Sequence, residues 1–175
     1  MIVIVNKRAT KKIDDLKNKG YTIVDVTSKS SDFAELSPFY PHGDIVIDKY
    51  TSESVEGIWQ GLKVFDSCGI DTTKFTNKTM KNLKRSCRKY GCVRGHLFEN
   101  KVIPYIEARK KIYIPAYNNM LLKEKVATKL APLLNVIKGG GCLALLDYDI
   151  NEEIDNITKP LSHASCIKRH LLSLL

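Results

Sequence analysis

The chain has 175 residues, 43% of them hydrophobic and 27% charged, the proportions of one globular domain with a sizeable core rather than of a fibrous or disordered chain. Lys and Arg number 28 against 19 Asp and Glu, a net charge of +9, which suits a polyanionic partner such as nucleic acid or a phosphorylated substrate. No apolar run is long enough to span a membrane. The five irregularly spaced cysteines (Cys68, Cys87, Cys92, Cys142, Cys166) follow no secretion signal, so reduced thiols in a cytoplasm are expected.

Ile2-Val-Ile-Val5 is a β-branched run typical of a buried strand. Ala9 to Asn18 keeps Ile13 and Leu16 on one face and predicts a surface helix ended by Gly20. Tyr21 to Thr27 predicts a second strand parallel to the first, so that residues 1–30 form a β-α-β-like N-terminal extension. Asn6-Lys-Arg8 reads as a solvated connection. Ser37-Pro-Phe-Tyr-Pro-His-Gly-Asp44 is an aromatic loop bounded by prolines, and Ile45-Val-Ile47 is a short strand.

A helix is predicted from Ser52, as N-cap, to Phe65. Val55, Ile58, Trp59 and Leu62 give it an apolar face; Glu56, Gln60 and Lys63 form a polar stripe beside it. Gly57 and Gly61 leave a third side bare, open to close approach by a backbone or a ligand. After a loop, Lys78 to Tyr90 predicts an amphipathic helix with Met80, Leu83, Cys87 and Tyr90 on one face. Lys78, Lys81, Arg85 and Arg88 make a basic stripe on another. Seven basic residues fall between Lys74 and Lys89 with no acid among them, the pattern of a phosphate-tracking surface.

Gly91 to Asn100 has mixed character. Helices are expected over Tyr105–Tyr113 and Asn118–Leu134, with Pro115 between them. Lys138-Gly-Gly-Gly141 is a flexible break, and Cys142-Leu-Ala-Leu-Leu146 a strand buried on both faces, ending at Asp147. Asn151 to Asn156 predicts a short acidic helical turn, and Leu161 to Leu174 a closing helix that Ser162 can cap. The order of elements predicts an α+β, mixed α/β fold: one small central sheet covered by several helices in a single domain over residues 1–175.

Several chemistries find little support. Cys87, Cys92 and His96 have a spacing that can hold zinc but lack an obvious fourth ligand, so no metal is assigned. Cys92 near His96 is a weak nucleophile–base pair. Gly139-Gly-Gly141 lacks the frame of a phosphate loop and precedes a strand, and no cofactor is assigned. The carboxylates are more informative. Asp147 ends a strand, where ligand-facing residues gather in α/β layers, and Glu56 starts the central helix. Two such carboxylates can divide glycosidic chemistry, one stabilising an oxocarbenium-like centre and the other activating water or protonating a leaving group. His163, after the cap position Ser162, can donate to a substrate or exchange protons near neutral pH.

Phe39-Tyr-Pro41 followed by Ser54-Val-Glu56-Gly-Ile-Trp-Gln60-Gly-Leu-Lys63-Val-Phe65 resembles the NADAR superfamily, which includes YbiA-like N-glycosidases. That family has an aromatic-Pro loop, a strand, and a helix carrying Glu, Gln, Lys and an aromatic in this order. Ala108 to Tyr113, Leu133-Leu134, Leu143 to Asp147, and Asp149 are similar in order to its downstream segments. The sequence departs at Gly57, where the family has His, and Lys110 and Lys111 stand where the family has a tryptophan after its Arg pair. The resemblance implies cleavage of a base-to-ribose N-glycosidic bond, on a metabolite or an ADP-ribosylated base in DNA. Glu56 would be the catalytic carboxylate, Gln60 and Lys63 pocket groups, and Asp147 a second acid.

Beside this, Phe39, Tyr40 and Trp59 are candidate stacking surfaces for a base, and Arg94, His96 and Arg109 candidate partners of phosphate or sugar oxygens. The basic stripe suits a nucleic-acid-borne substrate. A non-enzymatic nucleic-acid-binding module and an N-glycosidase of a free phosphorylated nucleotide are the alternatives. No protein partner and no membrane association are expected.

Overall fold

The computed structural model describes all 175 residues. In chain order the strands and helices are β1 (Ile2–Asn6), α1 (Thr10–Asn18), β2 (Thr22–Asp25), β3 (Ile45–Ile47), β4 (Tyr50–Ser52), α2 (Val55–Gly61), β5 (Lys63–Phe65), α3 (Cys87–Tyr90), β6 (Val93–Phe98), β7 (Lys101–Ile103), α4 (Tyr105–Ala108), a π-turn (Arg109–Tyr113), α5 (Ile114–Leu121), α6 (Glu124–Lys138), β8 (Leu143–Asp147) and α7 (His163–Ser173). The fold is mixed α+β, as expected, but with three small sheets in place of one central sheet. No helix is long and apolar enough to cross a membrane. The elements gather into two compact units: Met1–Ser37 with Leu121–Leu175, and Pro38–Met120.

The first unit is built on a parallel sheet of order β1-β8-β2. The two N-terminal strands are parallel, as predicted, but are not neighbours, because β8 lies between them with Ile4 opposite Leu145 and Val24 opposite the same residue on the other side. All five residues of β8 are buried, which fits its unbroken apolar run. Val5, Ala144 and Leu146 form a core with the half-buried Ile13 and Leu16 of α1, and α6 and α7 also pack on the sheet strands. Residues 151–156 hold a single turn, in which the Asn156 amide donates to the Glu153 carbonyl at 3.4 Å, and no helix. There Asn151 accepts from the Glu153 amide through its side-chain oxygen and donates to the Glu153 carbonyl, closing the loop on itself.

The second unit holds two antiparallel sheets, the β3-β4 hairpin and β5-β6-β7. The central helix is shorter than predicted. Ser54, not Ser52, accepts from the Gly57 amide at 3.0 Å as the N-cap. Ser52 instead donates to the carbonyls of Ser54 and Phe75. The helix ends at Gly61, and Lys63 to Phe65 turn into β5, because β6 lies alongside to pair with them. Strands β6 and β7 lie in and beyond the mixed-character stretch. Glu99 and Asn100, both with positive φ, make the two-residue turn between them.

All seven residues of α2 are buried, so its polar stripe is not a solvated edge. The bare glycine side is occupied by protein. A β-carbon at Gly57 would lie 2.5 Å from Ser52 Oγ and 2.7 Å from the Lys74 carbonyl oxygen. The helix predicted over Tyr105–Tyr113 runs on through the π-turn and Pro115 into α5, whereas the one predicted over Asn118–Leu134 is broken at Leu122 and Lys123, between α5 and α6. Pro115 cannot donate to the Lys111 carbonyl one turn back and its ring would collide with it; the widened turn just before it avoids the clash.

The basic helix predicted over Lys78–Tyr90 is confined to Cys87–Tyr90. Residues 78–86 are irregular, with Met80 and Asn82 at positive φ. Lys74 donates to the Asn82 carbonyl and Asn77 to the Lys81 carbonyl, local bonds that hold this segment as turns. The basic stripe is therefore not a helix face.

Candidate functional site

Glu56, Gln60 and Lys63 are brought together in the second unit, as their spacing predicts. Gln60 Nε2 donates to Glu56 Oε1 at 2.8 Å, and Lys63 Nζ donates to Gln60 Oε1 at 3.0 Å. Gln60 Oε1 also accepts the Arg85 amide at 3.1 Å. Two donors on its oxygen fix the Gln60 amide, so its nitrogen faces Glu56 and requires an acceptor there. The result is a buried carboxylate–amide–ammonium ladder. Burial pushes the Lys63 ammonium below the usual lysine range, while the Glu56 carboxylate works in the opposite direction.

Arg85, expected on a solvated basic stripe, is buried instead. Its guanidinium donates to the carbonyls of Gln60 (3.2 Å), Lys63 (2.5 Å) and Gly69 (2.7 Å) and to Cys68 Sγ (3.0 Å). It stands over the rings of Phe65 and Tyr90. Arg85 thus buttresses the ladder from behind; only its buried Nε, 4.0 Å from Asp71 Oδ2, lacks a hydrogen-bond partner. Lys78, Lys81 and Arg88 are exposed, Lys78 with Glu53 at 3.3 Å.

Trp59 is caged. The His96 ring stacks on it at 3.8 Å between centroids, and Tyr105 and Tyr113 approach edge-on at 5.8 and 5.5 Å. The indole face taken by His96 is closed to a base. Tyr105 and Tyr113 were not singled out from the sequence; both fall in the predicted helix over Tyr105–Tyr113, eight residues apart, and only the crossing of that helix over α2 reveals their role.

His96 sits in β6 opposite Lys63 of β5. It is fully buried, and neither ring nitrogen has a hydrogen-bond partner. Burial, with a smaller push from Lys63, lowers its pKa to about 3, so the imidazole is neutral at physiological pH. An orphaned buried donor or acceptor costs about 1–3 kcal/mol, and such groups are uncommon in native folds.

Arg109 lies in the π-turn, buried, with its guanidinium 4.8 Å from the Tyr105 ring centroid. Arg94 is exposed and ion-paired with Asp66. Phe39 and Tyr40 are half-buried; the Phe39 ring lies under Lys84 Nζ at 5.7 Å, and Tyr40 is tilted against His42 at 4.7 Å. Neither ring stacks on Trp59.

Asp147 and His163 belong to the first unit and meet there. Asp147 Oδ2 accepts from Ser162 Oγ at 2.6 Å and the Ala164 amide at 3.4 Å, and lies 3.0 Å from His163 Nδ1. Its Oδ1 accepts the Tyr148 amide at 2.7 Å. Burial pushes this carboxyl up, but His163, Ser162 and the Tyr148 amide outweigh it and hold Asp147 below the usual carboxylate range. The carboxylate pins β8 to the start of α7, and Ser162 caps nothing with its own side chain. The connection after β1 is also less solvated than expected: Lys7 Nζ lies 2.5 Å from Asp25 Oδ2 and donates to Thr27 Oγ1 at 2.9 Å.

The chain belongs to a family of unknown function, DUF6939, whose pattern matches residues 5–167. The matched span takes in both units and every candidate residue. No curated protein matches the chain.

Proposed function

We propose that this protein is an N-glycosidase that cleaves a base–sugar bond, with Glu56 as its catalytic carboxylate. The observation that carries this reading is the ladder Glu56–Gln60–Lys63, which holds a buried carboxylate by a side-chain amide that in turn accepts from a half-buried ammonium. Cleavage of an N-glycosidic bond builds positive charge on the sugar, and a fixed, water-poor carboxylate stabilises that charge or orients the attacking water. The similarity of this helix to NADAR sequences supports the same chemistry. Gly57 departs from the NADAR pattern because the Lys74 carbonyl leaves no room for a side chain. The reading gives the reacting role to Glu56 and the positioning role to Gln60. It does not ask Asp147 to react, since the Tyr148 and Ala164 amides, the Ser162 hydroxyl and the His163 ring of its own unit surround that carboxylate.

The proposed substrate is a modified or ADP-ribosylated base in DNA, with exposed Lys78, Lys81 and Arg88 along the strand. A duplex would have to release the target base from the stack before reaction. The test is release of base or sugar from DNA bearing ADP-ribosylated guanine. Glu56→Gln should lower turnover by about a hundredfold or more; undiminished activity in that variant would remove Glu56 from the mechanism. Turnover of the free phosphorylated nucleotide but not of the DNA would move the substrate to the metabolite pool.

The exposed basic segment also favours a second reading, a nucleic-acid-binding module without turnover. DNA affinity that falls steeply with salt, and flattens in Lys78→Ala/Lys81→Ala/Arg88→Ala, would support it only if no glycosidic substrate is turned over.

A further inference from the structure

His96 is the one histidine whose two ring nitrogens are both buried and both without a partner. One face of its ring is taken by Trp59, so the nitrogens project from the edge of the stack. A neutral imidazole offers one N–H donor and one lone-pair acceptor. Its cross-strand neighbour is Lys63, which disfavours a cationic ligand; an anionic oxygen accepts from the imidazole N–H but has no donor for the lone-pair nitrogen and leaves it unsatisfied. The complement that satisfies both nitrogens is a neutral, planar group that itself carries a donor and an acceptor. Lys63 Nζ and the Tyr113 ring lie 6.0 and 5.5 Å from the same indole.

We infer that His96 reads the amide-like edge of a ligand, a nucleobase lactam or a carboxamide, rather than phosphate or sugar oxygens. The inference rests on the glycosidase reading for the location of the site, and it names His96 as the residue that recognises the departing base.

The test uses the full chain with nitrogen-labelled histidine, observed by NMR, together with the fluorescence of Trp59, the single tryptophan. The probes are guanosine, nicotinamide and inorganic phosphate. Guanosine or nicotinamide at millimolar concentration should lock the His96 ring in one tautomer and shift Trp59 emission, while phosphate alone should do neither. His96→Phe keeps the stack on Trp59 and should stay folded but lose about tenfold or more in affinity for the neutral probe. His96→Gln, which restores a donor and an acceptor, should recover part of it.

The inference is overturned if His96→Phe binds as tightly as the wild type, if phosphate moves the His96 signals and the neutral probes do not, or if the His96 signals answer to none of the three. The last result would leave a buried water as the partner. Turnover is measured on the same variants. A responsive His96 in a protein without turnover sinks the glycosidase reading and leaves this inference standing; turnover and substrate affinity unchanged in His96→Phe do the reverse.

Discussion

At the scale of single residues, the second unit trades stability for a buried polar cluster. Arg85 satisfies three backbone carbonyls at once. Arg85→Met should therefore cost about 3 kcal/mol by orphaning those acceptors, whereas Lys81→Ala and Arg88→Ala should stay within about 0.5 kcal/mol; urea titrations of the three variants measure the contrast.

His96 and Asp147 make opposite contributions to acid stability. The folded pKa of His96 is depressed to about 3, so below about pH 6.5 the unfolded chain takes up a proton that the folded chain refuses. This one group lowers stability by about 1.4 kcal/mol per pH unit as the pH falls from 6.5 toward 3. His96→Phe should remove that slope, seen as unfolding curves that converge with or overtake the wild type on acidification. Asp147 is also held below its usual value, but as an acid its stabilisation is fully present above about pH 4 and is lost as the pH falls through its folded pKa. The stability gap between wild type and Asp147→Ala should narrow as the pH falls below about 4; a gap that stays fully open in acid would mean the contribution is packing, not charge.

At the scale of elements, α2 is defined by what packs against its glycines. A methyl group at Gly57 meets Ser52 Oγ and the Lys74 carbonyl, and the latter is backbone that cannot swing aside. Gly57→Ala should cost about 1–3 kcal/mol through overpacking. Gly69→Ala, at a position with open space and no positive φ, should be neutral or stabilise by up to about 1 kcal/mol. Thermal melts of the two variants separate a glycine needed for close approach from one that is not.

The element that differs most from its prediction is the basic segment. Its apolar residues recur at helical spacing, yet Leu83 and Arg85 are both buried while Lys84 between them is exposed, an alternation closer to extended chain. Periodicity in a lysine-rich stretch is weak information, because exposed lysines tolerate any backbone. What fixes this segment is the set of carbonyls Arg85 reaches, and those belong to residues 60–69.

At the scale of the whole molecule, the first unit is discontinuous in sequence. Its central strand β8 comes 137 positions after the end of β1, counted from Asn6 to Leu143, and pairs with strands on both sides. Residues 1–30 are therefore not dispensable: a fragment starting at Pro38 leaves the five buried residues of β8 without either partner. Such a fragment should show no cooperative unfolding of residues 121–175, as followed by amide exchange, and adding back residues 1–37 as a peptide should restore protection. Native-like protection in the fragment alone would contradict this.

The sequence by itself determined the short-range features. Ile2–Val5 and Leu143–Leu146 were legible as buried strands because continuous β-branched and leucine runs have few other stable placements. Glu56 and Gln60 were legible as one stripe because residues four apart meet on a helix, while Lys63 reaches Gln60 from the start of β5, just past the helix end. The tertiary structure alone decided which polar groups are sealed and what seals them. Arg85 became a buried clamp, Asp147 a pin for α7, and His96 an orphaned neutral imidazole behind Trp59. Each of these roles depends on partners 15 to 37 residues away, and neither desolvation nor hydrogen-bond geometry between such partners is written in local pattern.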